Sequence, residues 1–557
     1  VSGKARPEEV HVPAAKGALV FHHGTVFDGV RFLPRGTHVR VHDGKIAAVG
    51  PASALGPGEL VDLAGGTLLP GFIDAHAHPV YAGEQLLRCD LSAERTAAGY
   101  AAIIAAYARD HPQDEWITGG GWSMEAFPGG LPARELLDSV VADRPAFLPN
   151  RDGHGAWVNS RALAAAGIDA QTPDPWDGRI ERDAAGRPTG MLQEGAADLV
   201  SRLLPAATAD DWSRALLAAQ ARLLSLGITG WQDAILDSDH GAAGPFAAYL
   251  AAARAGTLVA RVVGALWWDR QHGIEQIPGL VERRRLGQAG KFRASTVKMM
   301  LDGVAESHTA AMLEPYLDAD GCATGSSGLD FIDPDELPRF VTALDGEGFQ
   351  VHFHALGDRA VRQALDALAA ARNANGGSGR HHHLAHLQVV HPDDVPRFAQ
   401  LSATANIQPL WAAHEPQMDE LTIPFLGQRR AGWQYPFRSL QAAGAAICAG
   451  SDWPVSSPNP LWGAHVAVNR VGPAAAGQAG AEPFLPEQRI DLESILAAYT
   501  SGSARINGLA TSAGAIMAGM DADLAVVDAD LSRIPAGEIG DAAVMQTWVG
   551  GRLVYQR

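Results

Sequence analysis

Cysteine is scarce in this chain, with three in 557 residues: Cys89, Cys322 and Cys448, none in a Cys-x-x-Cys spacing. That excludes a disulfide framework and a thiolate zinc site, and it fits a reducing compartment. Charge is sparse too, at 19% Asp, Glu, Lys and Arg, and the balance is acidic, with a formal net charge of -18. No basic run exceeds Arg283 to Arg285, so the clustered cations that hold a phosphate backbone are missing and a nucleic-acid partner is excluded. Those three arginines read as a solvated helix face. Long apolar runs are also lacking. No segment approaches the ~20 residues of a membrane span, and residues 1–17 lack the apolar core of a signal peptide. The expectation is a soluble, cytoplasmic protein with a small-molecule substrate and no membrane partner. A hydrophobic content of 47% is ordinary for a globular chain. The length allows one large domain with a smaller one, or three to four small ones.

What is present is a change of texture along the chain. After a lead-in at 1–17 rich in charge, Pro and Ala, residues 18–64 hold short β-prone pieces, with Asp43-Gly44 as a hairpin signal. The same texture returns over 511–557, where Gly550-Gly551 marks a tight turn. The two ends are therefore expected to build one small β-sandwich domain. Between them, residues 65–510 alternate short apolar strands with Ala-rich helical stretches. The strands are read in "LLPGFIDAHAHPV", "GITGWQDA", "ARVVGALWW", "STVKMML", "FQVHFHA", "HHLAHL", "SATANIQP" and "AAICAGSD". Eight strand-helix units predict an α/β fold, a (β/α)8 TIM barrel. About 150 residues separate its first two strands, far more than one crossover needs. The surplus, about 90–210, reads as an insertion roofing the catalytic end of the barrel.

The strand ends are unusually polar. His76 and His78, one residue apart, turn both imidazoles to one face of a strand. Lys298 interrupts the fourth strand, His352 and His354 lie on the fifth, His386 on the sixth, and Asp452 closes the eighth. Each has an ordinary alternative: a core or surface histidine, a lysine snorkelling outward, an aspartate capping the next helix. Five strand ends carrying metal-ligand residue types point instead to a metal pocket.

The set "GFIDAHAH", "GITGWQDA", "KMMLDG", "HFHALGD", "LAHL" and "GSDWPV", followed by "AGAIMAGMDADLAVVD" and "TWVGGRLVY", resembles the metal-dependent amidohydrolase superfamily over nearly the entire chain. Within it, "GGGW", "DGHGAWVNSRAL" and "PTGMLQEGA" resemble the amidohydrolase family 3 branch that includes N-substituted formamide deformylases. The resemblance implies one metal on His76, His78 and Asp452 and a second on His354 and His386, with Lys298 bridging them as a carbamate. Two zinc ions per chain suit such ligands, with Mn, Fe or Co as alternatives. It further implies cleavage of an amide-type, non-peptide C–N bond by metal-bound hydroxide, with Asp452 as proton shuttle, and a homodimer. A cyclic amide or ester hydrolase at the same centre is an alternative. So is a non-catalytic scaffold, although that reading predicts eroded ligands and all six positions are filled.

Several residues carry competing readings. His352 shares a face with His354 and competes for its role, but the "HALGD" match favours His354. Glu194 could ligate metal, bind substrate or cap a helix. His154, Trp157 and Trp122 read as pocket residues, against a Gly-flanked surface loop. Trp267 and Trp268 end the third strand, and Trp268 is taken as the aromatic wall. His22, His23 and the run His381 to His383 are read as structural. Abundant Trp and Leu in the roof, with few basic residues near the motifs, point to a neutral or apolar substrate group rather than a dianion.

Overall fold

In the computed structural model, which describes residues 17–54, 56–236, 244–473 and 482–557, eight apolar segments become parallel strands. They are β1 (Phe72–Ala77), β2 (Ile228–Leu236), β3 (Arg261–Trp267), β4 (Phe292–Met300), β5 (Gln350–Ala355), β6 (His383–His386), β7 (Thr404–Ile407) and β8 (Ala446–Ala449). Each pairs with the next in chain order. Beyond β8 the chain returns to β1: Asp452 donates its backbone N–H to the His76 carbonyl at 2.7 Å, and His78 donates to Trp453 at 2.8 Å. The barrel is thereby nearly closed. β1 and β5 are buried along their whole length, as parallel strands covered on both faces must be. The expected lead-in lies, apart from Gly17, outside the described residues.

The first helical layer shows how local chemistry sets the packing. Helix Ala209–Leu224 starts in a capping box, the Thr208 hydroxyl accepting from the Asp211 N–H while the Asp211 carboxylate accepts from the Thr208 N–H. Helix Pro79–Leu86 lies so close to it that a Cβ on Gly83 would sit 1.9 Å from the Ala215 carbonyl oxygen. Glycine is what permits that approach.

Between these helices the chain forms a six-stranded sheet, in the order Gly178–Arg182, Pro188–Glu194, Gly155–Val158, Ala146–Pro149, Ile117–Gly120, Cys89–Asp90. Strand alternation divides its side chains between two cores. Leu148, Trp157 and Met191 pack with Tyr100 and Ile104 on one face, whereas Phe147, Val158 and Leu192 pack with Leu163 and Val200 on the other.

The chain ends form a four-stranded sheet (Lys45–Pro51, Thr37–His42, Leu19–His22, Glu59–Asp62) and a five-stranded sheet (Thr25–Val26, Thr67–Pro70, Leu524–Val527, Val544–Val549, Arg552–Gln556). Phe21 and Val41 of the first share a core with Leu68, Leu524 and Trp548 of the second. Strand Thr67–Pro70 lies beyond the expected limit at 64, because it pairs with Leu524–Val527. Both turn signals hold, with positive φ at Asp43 and Gly44 and at Gly550 and Gly551. No helix among the described residues is long and apolar enough to cross a membrane.

Candidate metal centre

Barrel closure sets the ends of β1 and β8 side by side. His76 is fully buried and His78 nearly so. Asp452 Oδ1 lies 3.1 Å from His76 Nε2 and 3.0 Å from His78 Nε2, and one donor atom from each of the three residues falls within 4.8 Å of the others. Asp452 holds a φ of +58°, a left-handed backbone that costs an ordinary residue about 1–2 kcal/mol. The bond to the His76 carbonyl helps to keep it there. Burial pushes the Asp452 carboxyl up, but the His78 hydrogen bond and the nearby His386, His78 and Lys298 outweigh it and hold the group below the usual carboxylate range. Beneath the cluster, Asp74 accepts from the backbone N–H groups of His76 and Ser451, both at 3.0 Å, tying β1 to the end of β8.

A chain of hydrogen bonds fixes the tautomer of His76. Asn507 Nδ2 donates to the Ser503 carbonyl, so its Oδ1 accepts from Gln232 Nε2 at 3.0 Å. Gln232 Oε1 then accepts from His352 Nδ1 at 2.7 Å. Burial holds His352 well below its ordinary pKa and therefore neutral, so its Nε2 accepts the proton of His76 Nδ1 at 2.9 Å. Both nitrogens of His352 are thus occupied, and it is a positioning residue. His76 Nε2 is left with its lone pair turned toward Asp452 and Lys298, the form a metal ligand requires. Gln232→Leu is expected to weaken metal binding by about 10–100-fold, measured by competition with a chromophoric chelator. Unchanged affinity would sink the relay.

Lys298 and the histidines of β5 and β6 stand on the other side. Lys298 Nζ lies 3.5 Å from His76 Nε2. Burial pushes this amine down to about 7, against the pull of Asp452 and Asp233, so the neutral, nucleophilic form is accessible near neutral pH. The rings of His354 and His386 lie 4.5 Å apart, with His386 Nδ1 4.0 Å from Asp452 Oδ2. His78 Nδ1 and His386 Nδ1 are buried with no hydrogen-bond partner among the described residues. Two neighbours escaped the sequence reading. Asp302 accepts from the backbone of Ala311, Leu356 and Gly357 and sits 3.8 Å from His354 Nε2, and burial pushes it up to about 7. Its signal is the acidic residue before the last glycine of "KMMLDG". Trp411 stacks on His386 at 5.2 Å and carries no local signal.

A profile of the amidohydrolase family matches residues 59–555. This chain belongs to the amidohydrolase family. It is 30% identical to Protein LONG AFTER FAR-RED 3 of Arabidopsis thaliana, covering 96% of this chain and 91% of that one. It is 28% identical to the N-substituted formamide deformylase of Arthrobacter pascens, over 93% and 95%. An uncharacterized metal-dependent hydrolase from Pyrococcus horikoshii OT3 shares its fold, with a TM-score of 0.71 at 23% identity, over 93% of this chain and 99% of that one. The chain is thus a hydrolase of the amidohydrolase family. Its side chains fit a divalent cation: imidazole and carboxylate donors converge, and the buried His386 Nδ1, 4.0 Å from Asp452 Oδ2, has no hydrogen-bond partner among the described residues.

The fold of this amidohydrolase brings some of the other expected residues to the centre and not others. Glu194 Oε1 accepts from Thr309 Oγ1 at 2.8 Å and from His154 Nδ1 at 3.0 Å, and the His154 ring lies 5.3 Å from that of His354. Burial lowers His154, but the Glu194 carboxylate outweighs it and raises the imidazole to about 9. The helix-cap reading of Glu194 fails: it precedes helix Gly195–Ser201 but makes no capping hydrogen bond. It also stands outside the tight trio of His76, His78 and Asp452. Trp122 and Trp157 are not brought to the centre. They pack 6.2 Å apart in the core on one face of the six-stranded sheet, donating to the carbonyls of Leu148 and Ala133. Trp268 turns to the helical layer, 4.9 Å from Phe340, while Trp267 stays half-buried. His382 and His383 bond to Asp345 and Asn406, a structural role.

Proposed function

We propose that this amidohydrolase cleaves an amide-type, non-peptide C–N bond of a small molecule. The observation that carries the reading is the Asp452 carboxylate held between two imidazoles, within 3.0 and 3.1 Å of His78 and His76, where the nearly closed barrel brings its first and last strands together. His76, His78 and Asp452 would hold one divalent ion, and His354 and His386 a second, with Lys298 between them as a carbamate. Zinc suits these donors, with Mn, Fe or Co as alternatives. Such ions, when bound, supply a Lewis acid for the carbonyl and lower the pKa of water.

The chain's own groups do the rest. Asp452 accepts a proton from the attacking water as the C–O bond forms, then delivers it to the nitrogen as the C–N bond breaks. His154, whose imidazole the Glu194 carboxylate raises to about 9 and whose ring lies 5.3 Å from that of His354, would orient the substrate carbonyl. The formamide deformylase among the relatives supports an N-substituted formamide or a similar small amide as substrate.

The test is a panel of N-alkyl and N-aryl formamides and acetamides, with matched esters and lactones, assayed for acid release by the zinc-loaded enzyme. The best amide is expected to reach a kcat/KM of at least about 10⁴ M⁻¹s⁻¹. Ester or lactone cleavage without any amide cleavage would overturn the reading.

A further inference from the structure

Strand β7 runs between β6, which ends in His386, and β8, which leads to Asp452, yet it supplies no proposed ligand of its own. It carries two amides instead, Asn406 on the strand and Gln408 just past its end, both fully buried. Buried amides are destabilising unless their donors and acceptors are matched, and these are matched in a definite order. Asn406 Nδ2 donates to the Ala75 carbonyl at 3.0 Å and lies 3.1 Å from His383 Nδ1. A carbonyl can only accept, so the Asn406 amide is oriented, and its Oδ1 accepts from Gln408 Nε2 at 3.1 Å. That leaves Gln408 Oε1 for the backbone N–H of His386, which donates to it at 2.7 Å.

The last bond falls where the backbone needs support. His386 holds a φ of +78°, a left-handed conformation that costs an ordinary residue about 1–2 kcal/mol and persists only where the surroundings impose it. Three residues past Gln408, Trp411 stacks on the His386 ring, with centroids 5.2 Å apart and planes within 2° of parallel. Backbone and ring of His386 are therefore both held by one segment, 406–411. What the ring presents is Nδ1, 4.0 Å from Asp452 Oδ2 and without a hydrogen-bond partner among the described residues. At the other end of the amide pair, the Ala75 carbonyl belongs to β1, one residue before His76.

We propose that Gln408 and Trp411 are positioning residues for His386, setting the affinity of the ion that His386 would hold and leaving the ion on His76, His78 and Asp452 little affected. The proposal rests on reading His386 as a ligand, and its test separates the two. In Gln408→Leu, Asn406 keeps its bonds to Ala75 and His383, so the β1 side stays anchored while the His386 N–H loses its acceptor. Trp411→Leu removes the stacking face, and Trp411→Phe keeps one. A chromophoric chelator withdraws zinc from the loaded enzyme, resolving the two ions, and His386→Ala identifies the one that depends on His386. That ion is expected to bind about 10–100-fold more weakly in Gln408→Leu and in Trp411→Leu, and within about threefold of wild type in Trp411→Phe. The other ion should change by less than about threefold in all three variants. Equal weakening of both ions, weakening of neither, or a loss in Trp411→Phe as large as in Trp411→Leu would overturn the proposal. Trp411 is half-buried, so its two variants decide the matter should Gln408→Leu fail to fold. Metal content unchanged in His386→Ala would instead overturn the reading of His386 as a ligand.

Discussion

Asp452→Asn is expected to lower kcat by at least about 10³-fold, and kcat/KM with it, because general acid–base catalysis alone contributes roughly 10²–10⁴. The substitution keeps the shape of the side chain and one oxygen near His78 and His76, which lie 3.0 and 3.1 Å from the native carboxylate. What it removes is the charge and the proton acceptor. In the native enzyme the carboxyl is held below its usual range despite burial, so it is ready to take a proton from water throughout the neutral range. The amide cannot do this. Metal content by plasma mass spectrometry is measured on the same samples, since Asp452 is also a proposed ligand. A variant that retains its metal and its kcat would remove Asp452 from the proton-transfer role.

Lys298→Ala is expected to reduce metal from about two ions per chain to about one, and activity by at least about 10³-fold, the several kcal/mol that a two-metal site supplies. A free ammonium repels a cation. The neutral amine, favoured by burial that pushes Lys298 down to about 7, can react with carbon dioxide to give an anion with two donor oxygens. Its place 3.5 Å from His76 Nε2 suits a bridge between the two histidine groups. Added propionate is expected to restore part of the lost activity, because its carboxylate fits the volume that the lysine vacates. Metal content unchanged by the substitution, with or without bicarbonate during expression, would mean a mononuclear site without a lysine bridge.

The legible and illegible parts of this site differ in how far apart their causes lie. His76, His78, Lys298, His354, His386 and Asp452 can be found in the sequence because each sits at a strand end, and a barrel collects strand ends on one face. The relay behind His76 cannot. Its members Gln232 and Asn507 are 275 residues apart, and Gln232 and His352 are 120 apart, and none carries a local pattern. The tryptophans fail for a related reason. Alternation turns Trp267 and Trp268 to opposite faces at the end of one strand, but successive residues of that strand are buried on both faces, so periodicity does not tell core from pocket. Strand Thr67–Pro70 carries no local mark of the terminal unit, because its partner, Leu524–Val527, begins 460 residues after the expected limit at 64.

By itself, the sequence determined the eight parallel strands of the nearly closed barrel and the His76, His78 and Asp452 types that meet where it closes, since hydrophobic periodicity and strand-end chemistry are local properties of the chain. The tertiary structure alone decided the tautomer of His76, the hydrogen bonds that occupy both ring nitrogens of His352 and the pairing of Glu194 with His154. Each of these depends on which lone pair or charge faces which across separate elements, and that is set only when distant segments pack.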